Sequence, residues 1–405
     1  MHHTLIANIM TSKRTLLKRI APRLFTPQMA RLASDAYPQF APLINIWMTQ
    51  SDIRTLWDYY SSFGEAPSIW DDFIQYILEL VATHPAYYET VRAVVRRFGG
   101  VDKGRDPIRL KDARLDPWLI VDEIELKRLA EILHDEPRKP HGFGKTQNVY
   151  SAAAVALWFL NGCTKITRNS VRRIVLIENE VSIAQPACHA RGFIPLCQEN
   201  AKLHVERRVS LWQSVWPVSS DRKFRYLHGV EYDMGYIDLE HDRLCAKDIT
   251  GSIGIWLAET MALPSLGMPV GSYTLVLDGN PTLEHTSSLF RIVQRDAAWQ
   301  AALDTCYSRG VFPTPSWLDR RRHGGFICEG LPSMVRALSH SKTGSLISCN
   351  FDPGTTYDIE EMLEDHRGWS WEMWEREWSA HEPRRFQTEE PLPPWYILRW
   401  GHVLP

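Results

Sequence analysis

The sequence has no apolar run of about eighteen residues, no closely paired cysteines and no large net charge of either sign. Its most apolar stretch, Ser151 to Leu160, has only the length of a buried helix, so we expect no membrane span. A nominal charge of −2 over 405 residues gives no basic field of the kind that provides most non-specific affinity for nucleic acid. We therefore expect no nucleic-acid partner.

The cysteines are odd in number, and no two of them form a Cys-x-x-Cys pair. They are Cys163, Cys188, Cys197, Cys245, Cys306, Cys328 and Cys349. No apolar signal core follows Met1, so reduced thiols in the cytosol or nucleus are expected rather than structural disulfides. The mitochondrial matrix is an alternative compartment, for a reason that lies in the first residues of the chain.

Residues 1–34 are basic and contain no acidic side chain, and Leu and Ile are interleaved with the basic ones. The basic residues are Lys13, Arg14, Lys18, Arg19, Arg23 and Arg31. Such a composition is typical of a mitochondrial presequence, but it also fits a basic helix whose apolar side packs on its own domain. Pro22 and Pro27 interrupt the periodicity and favour the packed helix.

Motifs that would name a reaction are missing, since neither Gly-x-Ser-x-Gly nor His-Glu-x-x-His occurs. The segment from His141 to Thr146 ends in Gly-Lys-Thr, as a phosphate-binding loop does. However, Lys139 stands where that loop needs its first glycine, and no apolar strand precedes it. We expect an ordinary glycine-rich entry to a helix, no cofactor, and catalytic residues that stay unknown.

A zinc site is the next possibility, because four thiol or imidazole side chains lie within seventeen positions. They are Cys188, His189, Cys197 and His204. Structural zinc sites usually present two close pairs of ligands, and the second pair is missing here. The pattern favours buried thiols and incidental histidines, and no metal is expected.

The length predicts two or three packed units, and the 44% hydrophobic and 23% charged content is that of a globular protein. Apolar residues at three- and four-residue steps predict a helix over 70–81, and a second one runs from beyond Pro85 to Gly99. A charged, Pro- and Gly-rich stretch over 101–144, with one helix over 120–133, is predicted to be the linker between the helical region and the rest of the chain.

Helical and strand patterns then alternate, with helices over 147–160, 249–263 and 282–308. Strands are predicted over 171–177 and 272–278, with Val175 and Val276 in their buried interiors. The fold class is therefore α+β or α/β: a helical N-terminal region, a central α/β body with at least two buried strands in a shared, helix-covered sheet, and a Trp-rich C-terminal extension. The predicted domains are residues 1–34, 35–145, 146–345 and 346–405.

The C-terminal extension is acidic over 358–390 and contains Trp371, Trp374 and Trp378 at the spacing of one helix face. That face must be buried, either against the chain itself or against a protein partner. Two basic pairs, Arg172–Arg173 and Arg207–Arg208, offer docking points for a phosphate, an acidic partner or the acidic tail of the same chain.

The segment from Ala156 to Ile177 resembles a pattern in poorly characterised filamentous-fungal proteins, many of them described as F-box-like. There, a helix ending in Phe-Leu leads through an Arg-containing turn into an Ile/Val-Arg-Arg-Ile strand, and a later segment is similar to Leu196-Cys197-Gln198-Glu199-Asn200. The resemblance covers about a quarter of the chain. The Leu-Pro-x-Glu signature of the F-box itself is missing near the N-terminus, so no adaptor role and no functional residue is carried over.

Two functions remain open at this stage. The absence of catalytic motifs, together with a basic beginning and an acidic end, favours a non-catalytic protein-interaction or scaffold protein. The alternative is an enzyme whose site is assembled from dispersed residues and leaves no local motif.

Overall fold

The computed structural model describes residues 2–49, 65–98, 110–133, 149–218, 242–342 and 344–401. Two compact units divide the chain, Met1–Arg138 and Lys139–Pro405. Among the described residues, no helix is long and apolar enough to cross a membrane.

The first unit is helical. Its helices are α1 (His2–Leu24), α2 (Pro27–Ala36), α3 (Ala41–Thr49), α4 (Pro67–Ala82), α5 (Tyr87–Phe98) and α6 (Glu123–Leu133), with a short 3-10 helix at Pro38–Phe40. Helices α4, α5 and α6 fall where the periodicity predicts them. The apolar face of α4, which includes Phe73 and Ile77, is fully buried.

The basic leader forms α1 and most of α2, and α1 packs against α4, α5 and α6. Leu17 and Ile20 are fully buried, so the apolar side of the leader belongs to the core of this unit. Pro22 lies inside α1, and Pro27 begins α2 behind the N-cap Thr26. Mitochondrial targeting by this segment stays a prediction.

The second unit contains a four-stranded parallel sheet in the order β1-β2-β4-β5. The strands of the unit are β1 (Arg173–Glu178), β2 (His204–Ser210), β3 (Leu244–Cys245), β4 (Tyr273–Asp278), β5 (Ile347–Cys349) and β6 (Arg385–Phe386), and β3 and β6 form a separate antiparallel pair. The predicted α/β body is confirmed, and β2 and β4 are its buried strands.

The helices of this unit precede, connect and follow the strands. They are α7 (Ala152–Gly162), α8 (Lys165–Ser170), α9 (Ile194–Glu199), α10 (Ala246–Ala262), α11 (Leu283–Ser308), α12 (Trp317–Arg320), α13 (Leu331–Ser339), α14 (Ile359–Asp365), α15 (Trp371–His381) and α16 (Trp395–Trp400). A 3-10 segment at Pro186–Phe193 follows β1, and a π-helical turn at Leu211–Val215 follows β2.

One face of the sheet is packed against helices. On it, Leu176 of β1, Arg207 of β2, Leu275 of β4 and Ile347 of β5 form one row across the four strands, and all four are buried. The guanidinium of Arg207 lies 4.8 Å from the ring centre of Trp256 in α10. Helix α10 therefore covers the middle of this face.

The expectation that Val175 lies in a buried strand interior is wrong. Val175 is 44% exposed, because β1 is an edge strand and its odd-numbered side chains point away from the helices. Val276 in β4 is only half-buried. Strands 171–177 and 272–278 do share a sheet, but β2 lies between them, and among the described residues the odd-numbered side chains of β1 remain exposed.

Candidate functional site

The other face of the parallel sheet carries polar and exposed apolar side chains, and we call it the open face. In a parallel sheet, residues in register project to the same side, so the pairing defines its members. They are Arg173, Val175 and Ile177 of β1, His204, Glu206, Arg208 and Ser210 of β2, Thr274, Val276 and Asp278 of β4, and Ser348 of β5.

The strand order accounts for this one-sided sheet. Each strand of the parallel sheet lies beside the previous strand of the same sheet, in the order β1-β2-β4-β5. Since crossovers between parallel strands are almost always right-handed, a sheet that grows in one direction receives its connecting helices on one face. The same order occurs in α/β solenoids, where the sheet surface left uncovered is the binding surface.

The open face is unusual for a parallel sheet, because such sheets normally have both faces covered. Ile177 is 62% exposed and Val175 is 44% exposed, although both are β-branched aliphatic side chains in a regular strand. Across the sheet, Ile177 is in register with Arg208, and Arg208 with the half-buried Val276. Apolar side chains thus flank a charged one along one row.

The charges on the open face are organised around Glu206. Its carboxylate accepts hydrogen bonds from Arg173 Nη2 at 2.5 Å and from Arg208 Nε at 2.6 Å. Hydrogen bonding to Arg173, outweighing the effect of burial, lowers the pKa of Glu206. Glu206 is therefore ionised at neutral pH, and two guanidinium groups share one carboxylate.

Below the open face, a buried ion pair fixes the carboxyl end of β1. Arg207 Nε donates to Glu178 Oε1 at 2.9 Å, and the same carboxylate accepts from the N–H groups of Ala152 and Ala153 at the start of α7. Burial alone would raise the pKa of Glu178, but Arg207 and the two N–H groups outweigh it and lower that pKa. Burial raises the pKa of the adjoining Tyr273 to about 12, so its hydroxyl stays neutral.

A Ser–His pair lies beside this ion pair. Ser151 Oγ and His189 Nδ1 are 2.6 Å apart, and His189 Nε2 lies 2.6 Å from the carbonyl oxygen of Ala184. A carbonyl can only accept, so Nε2 carries a proton, and in the neutral imidazole Nδ1 then accepts from the Ser151 hydroxyl. Both side chains are fully buried, so a substrate has no access and the pair serves to hold α7 and the loop after β1 together.

The loop that provides this carbonyl has an uncommon backbone. Ala184 and Gln185 have φ of 64° and 55°, in the left-handed region that non-glycine residues seldom adopt. Its conformation is fixed by the bond from His189 and by Cys188, whose thiol donates to the carbonyl of Gln185 at 3.2 Å.

The sequence-derived metal candidates do not come together. Cys188 and His189 are engaged in this loop, and His204 Nδ1 lies 2.9 Å from the carbonyl oxygen of Gly271 at the start of β2. In the part of the chain that the structure describes, no three His, Cys, Asp or Glu side chains are grouped to hold a metal ion. The segment from His141 to Thr146 lies outside the described residues.

The Trp-rich extension docks on α11 within the same unit. Trp374 and Trp378 are buried, and Trp378 Nε1 donates to the carboxylate of Asp296 at 3.1 Å. Trp299 of α11 donates from Nε1 to the carbonyl of Trp374 at 3.2 Å. Trp371 lies nearer the surface and stacks on His323, with ring centres 5.0 Å apart.

The arginines of the two basic pairs differ in their exposure. Arg173 and Arg208 are exposed on the open face, whereas Arg207 is completely buried. Sequence reasoning missed strand β2 and with it the open face. Alternation in His204–Ser210 was the available signal, since Val205, Arg207 and Val209 occupy every second position.

Comparison of the chain with models of protein families, with curated proteins and with solved structures finds no match.

Proposed function

We propose that this chain is a protein-interaction protein and that the open face of its parallel sheet binds the partner. The carrying observation is the exposure of Val175 and Ile177 on a type of sheet whose faces are normally covered. Full burial of a wholly exposed aliphatic side chain contributes about 1.5–3 kcal/mol, and Val175 and Ile177 would gain only part of this amount on binding because they are 44% and 62% exposed. Adjacent exposed apolar side chains are a feature of interaction sites.

The rigidity of the face supports the same function. Arg207 and Glu178 fix the strands from below, and Arg173, Glu206 and Arg208 are tied to one another by hydrogen bonds above. A preorganised surface loses little conformational entropy when it binds, so more of the contact energy is retained as affinity.

The enzyme alternative gains no support from the buried polar groups, because Ser151, His189, Glu178 and Arg207 are packed away from solvent. The resemblance to filamentous-fungal F-box-like proteins stays a prediction, and so does a cytosolic or nuclear location. If the Trp-rich extension also binds a partner, the contact would lie around Trp371, since Trp374 and Trp378 are buried against α11.

Site-specific photo-crosslinking tests the proposal. The full chain carries p-benzoylphenylalanine at position 177 and is irradiated in an extract of its source cells. The matched control carries the same group at position 311, because Val311 is also 62% exposed but lies in the turn after α11. We expect a discrete adduct from position 177 alone.

The adduct is then identified by mass spectrometry, and the purified partner is titrated into the chain by calorimetry. Ile177→Asp should weaken binding at least tenfold, whereas Val311→Asp should leave it unchanged. Equal adducts from both positions, or equal affinities of the two variants, would show that the open face is not the binding surface.

A further inference from the structure

Around Glu206 the charges on the open face do not balance, although Asp278 at its carboxyl edge brings the face as a whole to two arginines and two carboxylates. Two guanidinium groups, those of Arg173 and Arg208, share the single carboxylate of Glu206. The Arg173 and Arg208 side chains are 61% and 44% exposed, while the Glu206 side chain is only 11% exposed. Each guanidinium has five N–H groups, so the outward-facing donors are cationic and the shared carboxylate lies beneath them.

The neighbours of this excess positive charge are apolar. Ile177 and Val276 flank Arg208 along one row, and Val175 is in register with Glu206 in the next. Adjacent strands lie about 4.8 Å apart, so a ligand crossing the row meets an apolar, a cationic and an apolar side chain at roughly that spacing.

This arrangement discriminates between classes of ligand. A nucleic acid offers a repeating line of phosphates and is held by many cations. The open face has two arginines with a carboxylate between them, and Asp278 adds a second acidic group at its carboxyl edge. A peptide with one acidic side chain among apolar ones matches both the charge and the apolar surface.

We infer that the partner, if the proposed function holds, presents a peptide segment in which an Asp or Glu side chain pairs with Arg173 and Arg208 while adjacent apolar side chains cover Val175 and Ile177. A carboxylate suits the two guanidiniums because planar, bidentate hydrogen bonding is the preferred geometry of that pair. Part of the affinity then depends on ionic strength.

The test uses a phage-displayed library of random 16-residue peptides, selected on the full-length chain. Selected peptides are synthesised, and their affinities are measured by fluorescence anisotropy. We expect a consensus of one or two acidic residues flanked by apolar ones, and at least tenfold weaker binding to the Arg173→Glu/Arg208→Glu variant. Arg376→Glu is the matched control, since Arg376 is an exposed arginine of α15 next to a glutamate.

The outcomes separate this inference from the proposed function. Loss of binding in Ile177→Asp shows that a peptide binds the open face. If such peptides lack an acidic consensus, or bind the arginine variant equally well, the inference is overturned and the proposed function still stands. Selection of nothing that depends on Ile177, or a chain that is a dimer in light scattering and becomes a monomer in Ile177→Asp, would overturn both.

Discussion

Arg207 and Arg208 are consecutive residues of β2, and their guanidinium groups lie on opposite faces of the sheet. Arg207 is fully buried, bonded to Glu178 and stacked on Trp256, whereas Arg208 is half-exposed and shares Glu206 with Arg173. Two side chains of identical chemistry therefore have different tasks. One joins the strands to the helical layer, and the other provides charge at the surface.

The first prediction concerns how much each of these two arginines contributes to the stability of the fold. Arg207→Ala leaves the buried Glu178 carboxylate without its main partner, and breaking a buried ion pair costs about 3–5 kcal/mol. Arg208→Ala removes an exposed pair and should cost less than about 1 kcal/mol. Urea unfolding of the two variants measures the difference, and equal losses would contradict the assignment of faces.

The second prediction compares neighbours in β1. Leu176 is 6% exposed on the packed face, and Ile177 is 62% exposed on the open face. Leu176→Asp places an unpaired charge in the core and should cost several kcal/mol, enough to unfold the unit. Ile177→Asp should change the melting temperature by no more than a few degrees. Thermal unfolding followed by circular dichroism measures both melting temperatures. A similar decrease in both variants would show that β1 is buried on both sides.

The sequence predicts the strands around Val175 and Val276 because a β-branched run favours extended structure regardless of its neighbours. It does not predict that Val175 is exposed, since exposure depends on how many helices cover the sheet. Strand β2 is hidden by three consecutive charged residues, Glu206 to Arg208. Of the three, Arg207 is completely buried, and its burial becomes favourable through Glu178, which is 29 residues away in the sequence.

The helical predictions succeed for a related reason. The apolar spacing in α4 and the Trp spacing in α15 are local signals. Helix α4 buries the face that the spacing identifies, whereas α15 buries Trp374 and Trp378 and leaves Trp371 36% exposed. The open face has no such signal. Its members come from four strands over 173–348, and only the parallel register brings them onto one surface.

The third prediction concerns Ser151, the N-cap of α7. Its Oγ accepts from Ala154 N at 3.0 Å and its hydroxyl donates to His189. Ser151→Ala loses the cap, worth about 1 kcal/mol, and also leaves a buried imidazole nitrogen unsatisfied, which costs about 1–3 kcal/mol more. Thr164→Ala is the control, because Thr164 caps α8 at the surface. This substitution should cost only the cap, about 1 kcal/mol.

Urea unfolding gives both values, and nitrogen-15 NMR of the imidazole adds an independent measure. We expect the neutral imidazole of His189 to carry its proton on Nε2, because the Ala184 carbonyl can only accept. A proton on Nδ1, or equal costs for Ser151→Ala and Thr164→Ala, would contradict the bonding described for this pair.

The last prediction is a pH dependence at the contact between α11 and α15. Asp296 is buried and accepts hydrogen bonds from Thr250 Oγ1 at 2.6 Å, from Trp378 Nε1 and from Arg295. Burial outweighs these bonds and raises its pKa from 3.8 to about 6. A folded-state pKa above the unfolded value means that the folded chain binds the proton more tightly, so Asp296 destabilises the fold at pH 7 and this cost falls as the pH drops through 6.

From pH 7 to pH 5 the contribution of Asp296 to the free energy of unfolding should become more favourable by about 1.4 kcal/mol, because the folded chain binds one more proton than the unfolded chain over about one pH unit. His381 acts in the opposite direction, since burial, with Arg295 and Arg384 nearby, lowers its pKa to about 4 and its protonation opposes folding at low pH. Comparing the wild type with Asp296→Asn at each pH isolates the aspartate, because His381 is present in both proteins. The stability of the wild type relative to this variant should rise as the pH falls. A difference that stays constant from pH 7 to pH 5 would mean that Asp296 keeps an ordinary pKa and that burial does not penalise its carboxylate.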